Sequence, residues 1–256
     1  MRSEMAVTLP AETVRRPRKS ARRAARRRAC LLQVTLALAA ALIAVTVWNH
    51  RPWGGAHTAY QAVELVYQNP KLPNGCEVTS LSMALGAAGC PADKLTLYRD
   101  YLPKADFSYD GALRYGPNPE KWYVGDAADL KGGWYCFENP VIQAANRWLD
   151  ERGSASRARS VTGLSRDELD RCAGDGVPLV AWVTLGYDRP QYSEFSWTLE
   201  DGTQYQPYSN LHCVVLTGTQ DGRYWVADPL NGFTSVDKDV FWDSFSAMGC
   251  RAVVIE

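Results

Sequence analysis

The sequence predicts an α+β domain, with helices gathered in the first half and a largely antiparallel sheet in the second, preceded by one transmembrane helix. Three observations predict it. Residues 29–48, "ACLLQVTLALAAALIAVTVW", carry no charge over 20 positions. Between residues 76 and 174, apolar residues recur at helical spacing between capping residues. From Val177 onward the pattern changes to short β-branched and aromatic runs separated by turn signals such as "QDG" and "PLNG". Helices followed by strands in this order are the mark of an α+β architecture.

The N-terminal part is read from charge. Ten of the 28 basic residues but only two of the 28 acidic ones fall in residues 1–28, which leaves 18 basic against 26 acidic residues afterwards, a net of −8. An arginine-rich arm alone would suggest nucleic acid; running straight into an uncharged span, it reads as a basic cytoplasmic tail without ordered structure. At about 1.5 Å per residue, residues 29–48 cover the ~30 Å hydrocarbon core, and the positive flank places the N-terminus in the cytoplasm. Trp48 and Trp53 fit interfacial anchors. The other reading is a cleaved signal peptide, with "GGA" at 54–56 as the cleavage site. Both readings export the domain, either held at the cell membrane or secreted. Residues 49–59 form a linker, and 60–256 the folded domain.

Within that domain, the first helix starts at Cys76 and places Val78, Leu81, Leu85 and Ala88 on one face, an amphipathic pattern that Gly89 can close. A short helix is expected near 93–101, inside a surface excursion spanning 90–138. "NPVIQAANRWLDERG" announces a second long helix, with Asn139 as N-cap, Pro140 at the first helical position and Gly153 past the end. A third begins at "LSRDEL", where Ser165 and Glu168 form a capping box flanked by Leu164 and Leu169, and it ends near Gly174. "VPLVAWVTL", "LHCVVLTG", "RYWVAD" and "CRAVVIE" are strands, and "TGTQDGRYWVADP" reads as the hairpin joining the middle two.

The candidate chemistry lies at three separated points. His50 and His57 belong to the linker, so His212 is the one histidine of the folded domain. Across the predicted hairpin, Asp228 can sit close to opposite it, and a carboxylate beside an imidazole fixes its tautomer and supports the imidazolium. Cys76, at a helix N-terminus, is expected to be stabilised as thiolate by the dipole and by a neighbouring imidazolium. Gly75 is read as leaving room for a substrate carbonyl to approach the sulfur. Singly, each residue is outweighed by a structural role: buried cysteine, satisfied histidine, turn-forming Asp-Pro. Together, Cys at a helix start, His on a strand and Asp one hairpin later have the layout of a thiol-peptidase triad. Zinc is not expected, because no C-x-x-C or H-x-x-x-H pair accompanies them, and no nucleotide-binding glycine motif is present. Oxidising surroundings permit disulfides among Cys90, Cys136, Cys172, Cys213 and Cys250, with the pairing open.

"NGCEVTSLSMALGAAG", "GVPLVAWVTL", "LHCVVLTGTQDGRYWVADPLNG" and "FWDSFSAMGCRAVVI" resemble the papain-like domains related to bacteriocin-leader peptidases, the group termed cysteine-peptidase family thirty-nine-like. The resemblance covers nearly all of residues 60–256. It implies a papain-like fold with Cys76 as nucleophile, His212 as general base and Asp228 orienting the imidazole. It also implies a glutamine donor to an oxyanion hole, for which Gln68 is the matching residue, although its distance from Cys76 along the chain exceeds that of the tightest papain-like spacings. No transporter domain accompanies these motifs, so leader removal coupled to export is not expected.

The expected activity is an extracytoplasmic, membrane-anchored cysteine peptidase acting on a peptide or protein without a cofactor, and without nucleic acid as a partner. Two alternatives stay open: an amidase or transpeptidase of cell-wall peptides using the same residues, and a non-catalytic surface-binding module. The aromatic segments 107–126 and 188–209 are candidates to line a substrate cleft.

Overall fold

A computed structural model describes residues 63–256. The basic tail, the span at 29–48 and the linker lie outside the described residues, among which no helix is long and apolar enough to cross a membrane. In chain order the elements are α1 (Cys76–Ala87), α2 (Lys94–Thr96), which runs on into a π-helical turn at Leu97–Tyr101, β1 (Lys104–Ala105), β2 (Ser108–Asp110), β3 (Leu113–Tyr115) and β4 (Tyr123–Val124). Then come α3 (Glu138–Asp150), β5 (Ala158–Ser160), α4 (Arg166–Gly174), β6 (Leu179–Thr184), β7 (Trp197–Thr198) and β8 (Gln204–Tyr205). The chain ends with β9 (Leu211–Gln220), β10 (Arg223–Asp228), β11 (Gly232–Asp237), α5 (Lys238–Ala247) and β12 (Ala252–Ile255).

The central sheet has six strands in the order β11–β10–β9–β6–β12–β5, and every neighbouring pair is antiparallel. Helices cover both of its faces. Val180, Trp182, Cys213, Val215 and Val253 pack toward the core that holds α1 and α3, whereas Leu179, Ala181, Val183, Val214 and Leu216 pack toward α4 and α5. Coverage on both sides explains why β6 is buried at all six positions and reads as a continuous apolar run rather than an alternating one. The β9–β10 hairpin turns at Asp221-Gly222, both with positive φ, the two-residue turn whose twist suits antiparallel strands.

Several local expectations are met by their chemistry. Ser165 and Glu168 form both bonds of the capping box, and Leu164 packs on the cluster that contains Leu169. Gly89, at φ +76, ends α1 where expected.

Other expectations are corrected. α1 is not amphipathic: ten consecutive residues, Cys76–Leu85, are buried, because β9, β6 and α3 pack around it. Asn139 does not cap α3, which starts at Glu138 and leaves Asn139 exposed in its first turn. All six described cysteines are free, so no disulfide forms among Cys90, Cys136, Cys172, Cys213 and Cys250.

The segments between α2 and α3 and between β6 and β9 are less irregular than their composition suggests. They contribute a four-stranded sheet, β2–β3–β7–β8, and a parallel pair, β1–β4. Phe107 meets Trp197 edge-to-face at 5.2 Å, and Trp197 lies 4.9 Å from Tyr205, so these aromatics form a small core of their own.

Candidate active site

α1 brings Cys76 to the site as its first helical residue, and two hydroxyls hold that end in place. Thr79 Oγ1 donates to the Gly75 carbonyl at 2.7 Å, and Ser80 Oγ donates to the Cys213 carbonyl at 3.1 Å. The second bond ties the cysteine helix to the residue after His212. Gly75 has a different purpose from the one its position suggests. A β-carbon there would lie 2.7 Å from Leu72 Cβ, so the glycine is required by packing of the preceding loop rather than by substrate access.

His212 and Asp228 are brought together by an irregularity in the hairpin. Near the turn, Trp225 pairs with Gly218; after a one-residue shift, Val226 pairs with Leu216, with Thr217 as the extra residue. Thr217 Oγ1 donates to the Trp225 carbonyl at 3.1 Å across this bulge. Continuing the shifted register puts Asp228 opposite Val214, two residues from His212 and on the same face. Without the bulge it would face Val215, and His212 would point to the other side of the sheet.

The resulting pair is buried and short: His212 Nε2 lies 2.8 Å from Asp228 Oδ1. Burial alone would raise the Asp228 carboxyl, but the bonds from His212, the Leu230 N–H and Asn231 Nδ2 prevail and bring it down to about 2. Asp228 is therefore an acceptor only, His212 Nε2 carries the proton, and Nδ1 is the ring nitrogen left for proton transfer.

Gln68 joins them from a loop pinned on several sides. Its N–H donates to the Pro229 carbonyl at 2.9 Å, directly after Asp228, and its carbonyl accepts from Lys94 Nζ at 2.9 Å and from the Leu72 N–H at 3.0 Å. Its side chain is buried, with Nε2 donating to the Pro73 carbonyl and Oε1 without a hydrogen-bond partner among the described residues. The long spacing from Cys76 thus does not keep Gln68 from the site. Lys94, which fastens this loop, was not marked by sequence; a basic residue following the Asp93 N-cap of α2 carries no signal of a contact 26 residues back.

Cys76, His212 and Gln68 all line one cleft of about 380 Å³, with Asp228 behind the imidazole. Of the two aromatic segments expected to flank it, only 188–209 does so, through Ser193, Phe195, Tyr208 and Ser209. Lys131, Gly133, Trp134 and Tyr135 line the cleft as well, and Trp134 meets Phe195 edge-on at 6.5 Å. Segment 107–126 is spent on the small sheets and contributes nothing to the cleft.

The state of the thiol differs from expectation. Burial pushes Cys76 well above its ordinary value, and the adjacent Glu77 carboxylate pushes it the same way. These outweigh the helix N-terminus, because the full desolvation of a thiolate exceeds what one helix end supplies. The Cys76 thiol donates to Glu77 Oε2 at 3.4 Å, and Glu77 Oε1 accepts from the Cys136 N–H at 3.0 Å. Glu77 is itself wholly buried, and burial raises its carboxyl to about 7. Nothing in the sequence marks it, since a glutamate in a first helical turn ordinarily sits at the surface on the positive end of the dipole.

A thiol, an imidazole with one nitrogen anchored, and a buried amide N–H donor around one cleft are the parts that acyl transfer needs: nucleophile, base and a donor for a developing oxyanion. The uncharacterized protein YvpB of Bacillus subtilis is 30% identical over 189 residues, 73% of this chain and 71% of that protein. A solved structure from Bacillus anthracis, described as a C39-like peptidase, is also 30% identical and superposes with a TM-score of 0.65 over 76% of this chain and 94% of its own. The profile of the Peptidase_C39-like family matches residues 60–253, nearly the whole folded domain. With a mixed α/β fold shared with a C39-like peptidase and a family match of that extent, the chain belongs to the Peptidase_C39-like family.

Proposed function

We propose that this domain is a cysteine peptidase in which Cys76 is the nucleophile, His212 the general base, Asp228 the residue that orients the imidazole, and Gln68 a donor to the oxyanion. The observation that carries the reading is the convergence of Cys76, His212 and Gln68 on one cleft, with His212 Nε2 held 2.8 Å from Asp228 Oδ1. His212 Nδ1 takes the thiol proton, and the sulfur attacks the scissile carbonyl. The oxyanion receives Gln68 Nε2–H and the Cys76 N–H, the latter one of the unpaired donors of the helix start. His212 then protonates the leaving amine, and water, deprotonated by the same imidazole, releases the acyl group and restores the thiol.

Membrane anchorage through residues 29–48, with the domain outside the cytoplasm, is part of the same proposal and rests on the charge asymmetry and the uncharged span. Its test is protease protection: in intact cells the domain should be cleaved by added protease while an N-terminal tag on residue 1 is spared.

The activity test is a peptide-library cleavage profile of the full 256-residue chain beside Cys76→Ala. Cleavage should fall by about 10⁴-fold or more in the variant. No cleavage by the wild type, or equal cleavage by both, refutes the peptidase.

A further inference from the structure

The buried carboxyl beside the nucleophile has no place in the mechanism above, yet among the described residues it makes the one side-chain hydrogen bond of the Cys76 thiol. Its surroundings make it unusual. The titratable groups that face Glu77 are Cys76 on its own helix, Tyr123 on β4, Cys136 ahead of α3 and Cys213 on β9. Beyond them stand Asp228, on the far side of Cys213, and Glu138, which is paired with Arg251. Among the described residues no cation pairs with Glu77, whose carboxylate accepts from its own N–H, the Cys136 N–H and the thiol. A buried carboxylate is ordinarily compensated by a cation or by several donors. Here the cation is absent and burial outweighs the three donors, so the charge is costly and sits against the sulfur.

We propose that Glu77 is a positioning residue for the nucleophile: as a carboxylate it holds Cys76 in the thiol form, and as a neutral acid it turns donor and stabilises the thiolate. The inference rests on the peptidase reading only for the identity of the base. In the neutral state the thiol proton passes to His212 Nδ1, giving thiolate and imidazolium, while Glu77 keeps its own proton and directs that O–H at the sulfur. In the charged state the same ionisation would set thiolate against carboxylate at hydrogen-bond distance in a site shielded from water, and the thiol stays protonated. Since Glu77 loses its proton at about pH 7, the brake is off in mildly acidic solution and on in alkaline solution. That is opposite to the rise of reactivity with pH shown by an ordinary cysteine.

The test is the rate of iodoacetamide alkylation at Cys76, followed by peptide mass spectrometry on the full chain from about pH 5.5 to about pH 8.5, for wild type and Glu77→Gln. Glutamine keeps an acceptor for the Cys136 N–H and removes the charge. The ratio of the variant's rate to the wild type's should grow at least about tenfold across this range. A ratio that is flat with pH, at whatever level, overturns the proposal, because a purely structural Glu77 would change the rate uniformly.

Should Glu77→Gln fail to fold, His212→Ala with Glu77 intact serves instead. Its Cys76 rate should bend downward from a simple thiol curve near pH 7, and an unbent curve overturns the proposal. Alkylation needs no peptide, so a sloping ratio with no cleavage defeats the peptidase and leaves this inference standing. Cleavage with a flat ratio does the reverse.

Discussion

The two sides of the cleft are built to different standards. On the histidine side the carboxylate is fully answered: Asp228 receives bonds from His212, Leu230 and Asn231, and the strand beneath is tied to α1 through Ser80. On the cysteine side, among the described residues, Gln68 Oε1 is buried without a partner, Glu77 has no cation, and the thiol rests on a carboxyl that opposes its ionisation. On the proposed mechanism, the difference separates the groups that change state during the reaction from those that do not. A base and its orienting carboxylate work best held still, since any reorientation costs rate. A nucleophile and its oxyanion donors meet their charge only when substrate arrives, so part of their hydrogen-bonding capacity stays uncommitted beforehand.

Substitutions can break or sharpen this contrast. The largest expected effect after loss of Cys76 is on the uncommitted side: Gln68→Ala should lower kcat by about 10²- to 10³-fold with little change in KM, measured on any peptide the library identifies. A change confined to KM would make Gln68 a binding residue and return the two sides to parity.

Next is Glu77→Gln, read through stability rather than reactivity. The carboxyl ionises at about 7 in the fold against 4.5 ordinarily, so the folded state binds the extra proton between these values and stability falls as pH rises through that window. The loss approaches ~3 kcal/mol at pH 8. Thermal melts should therefore show the variant gaining on the wild type between about pH 4.5 and pH 8; equal differences at both would show that the charge is accommodated.

The smallest expected effect is on the answered side. Asp228→Asn keeps an acceptor oxygen for His212 and should cost less in kcat than Gln68→Ala as long as the imidazole keeps its tautomer, whose loss would cost about 10⁴-fold. Asp228 is held near 2, below the ordinary carboxyl, so its contribution to stability is present above about pH 4 and lost as pH falls toward 2. The asparagine variant should lack that acid-limb loss in its melts. A loss in kcat as large as that of Gln68→Ala would mean that the carboxylate charge, and not its geometry, is what the site requires.

What could be read from sequence follows the range of the interaction concerned. The Ser165–Glu168 box, the strand at 179–184 and the Asp221-Gly222 turn are local and were legible. α5 has a start signal, Asp237 accepting from the Asp239 and Val240 N–H groups, but it buries only Phe241, Ser244 and Phe245, too few positions for a helical period to stand out. The strands of the small sheets are two or three residues long, too short for any period to show. Cys76, His212, Asp228 and Gln68 were nameable because rare residue types in a fixed order carried the family's pattern. The burial of Glu77 and the reach of Lys94 back to Gln68 depend on packing between distant segments, which no window of sequence contains.

The bulge at Thr217 also sets how this hairpin can change length. Because one residue of β9 is already absorbed outside the ladder, loss of a single residue between Cys213 and Thr217 can be taken up by closing the bulge, with His212 still arriving on the face of Asp228. Gain of a residue has no such reserve and must either raise a second bulge or carry the imidazole to the opposite layer. The strand thus tolerates shortening and resists lengthening, a one-sided allowance that relatives of this chain should show as deletions, and not insertions, in the stretch after the histidine.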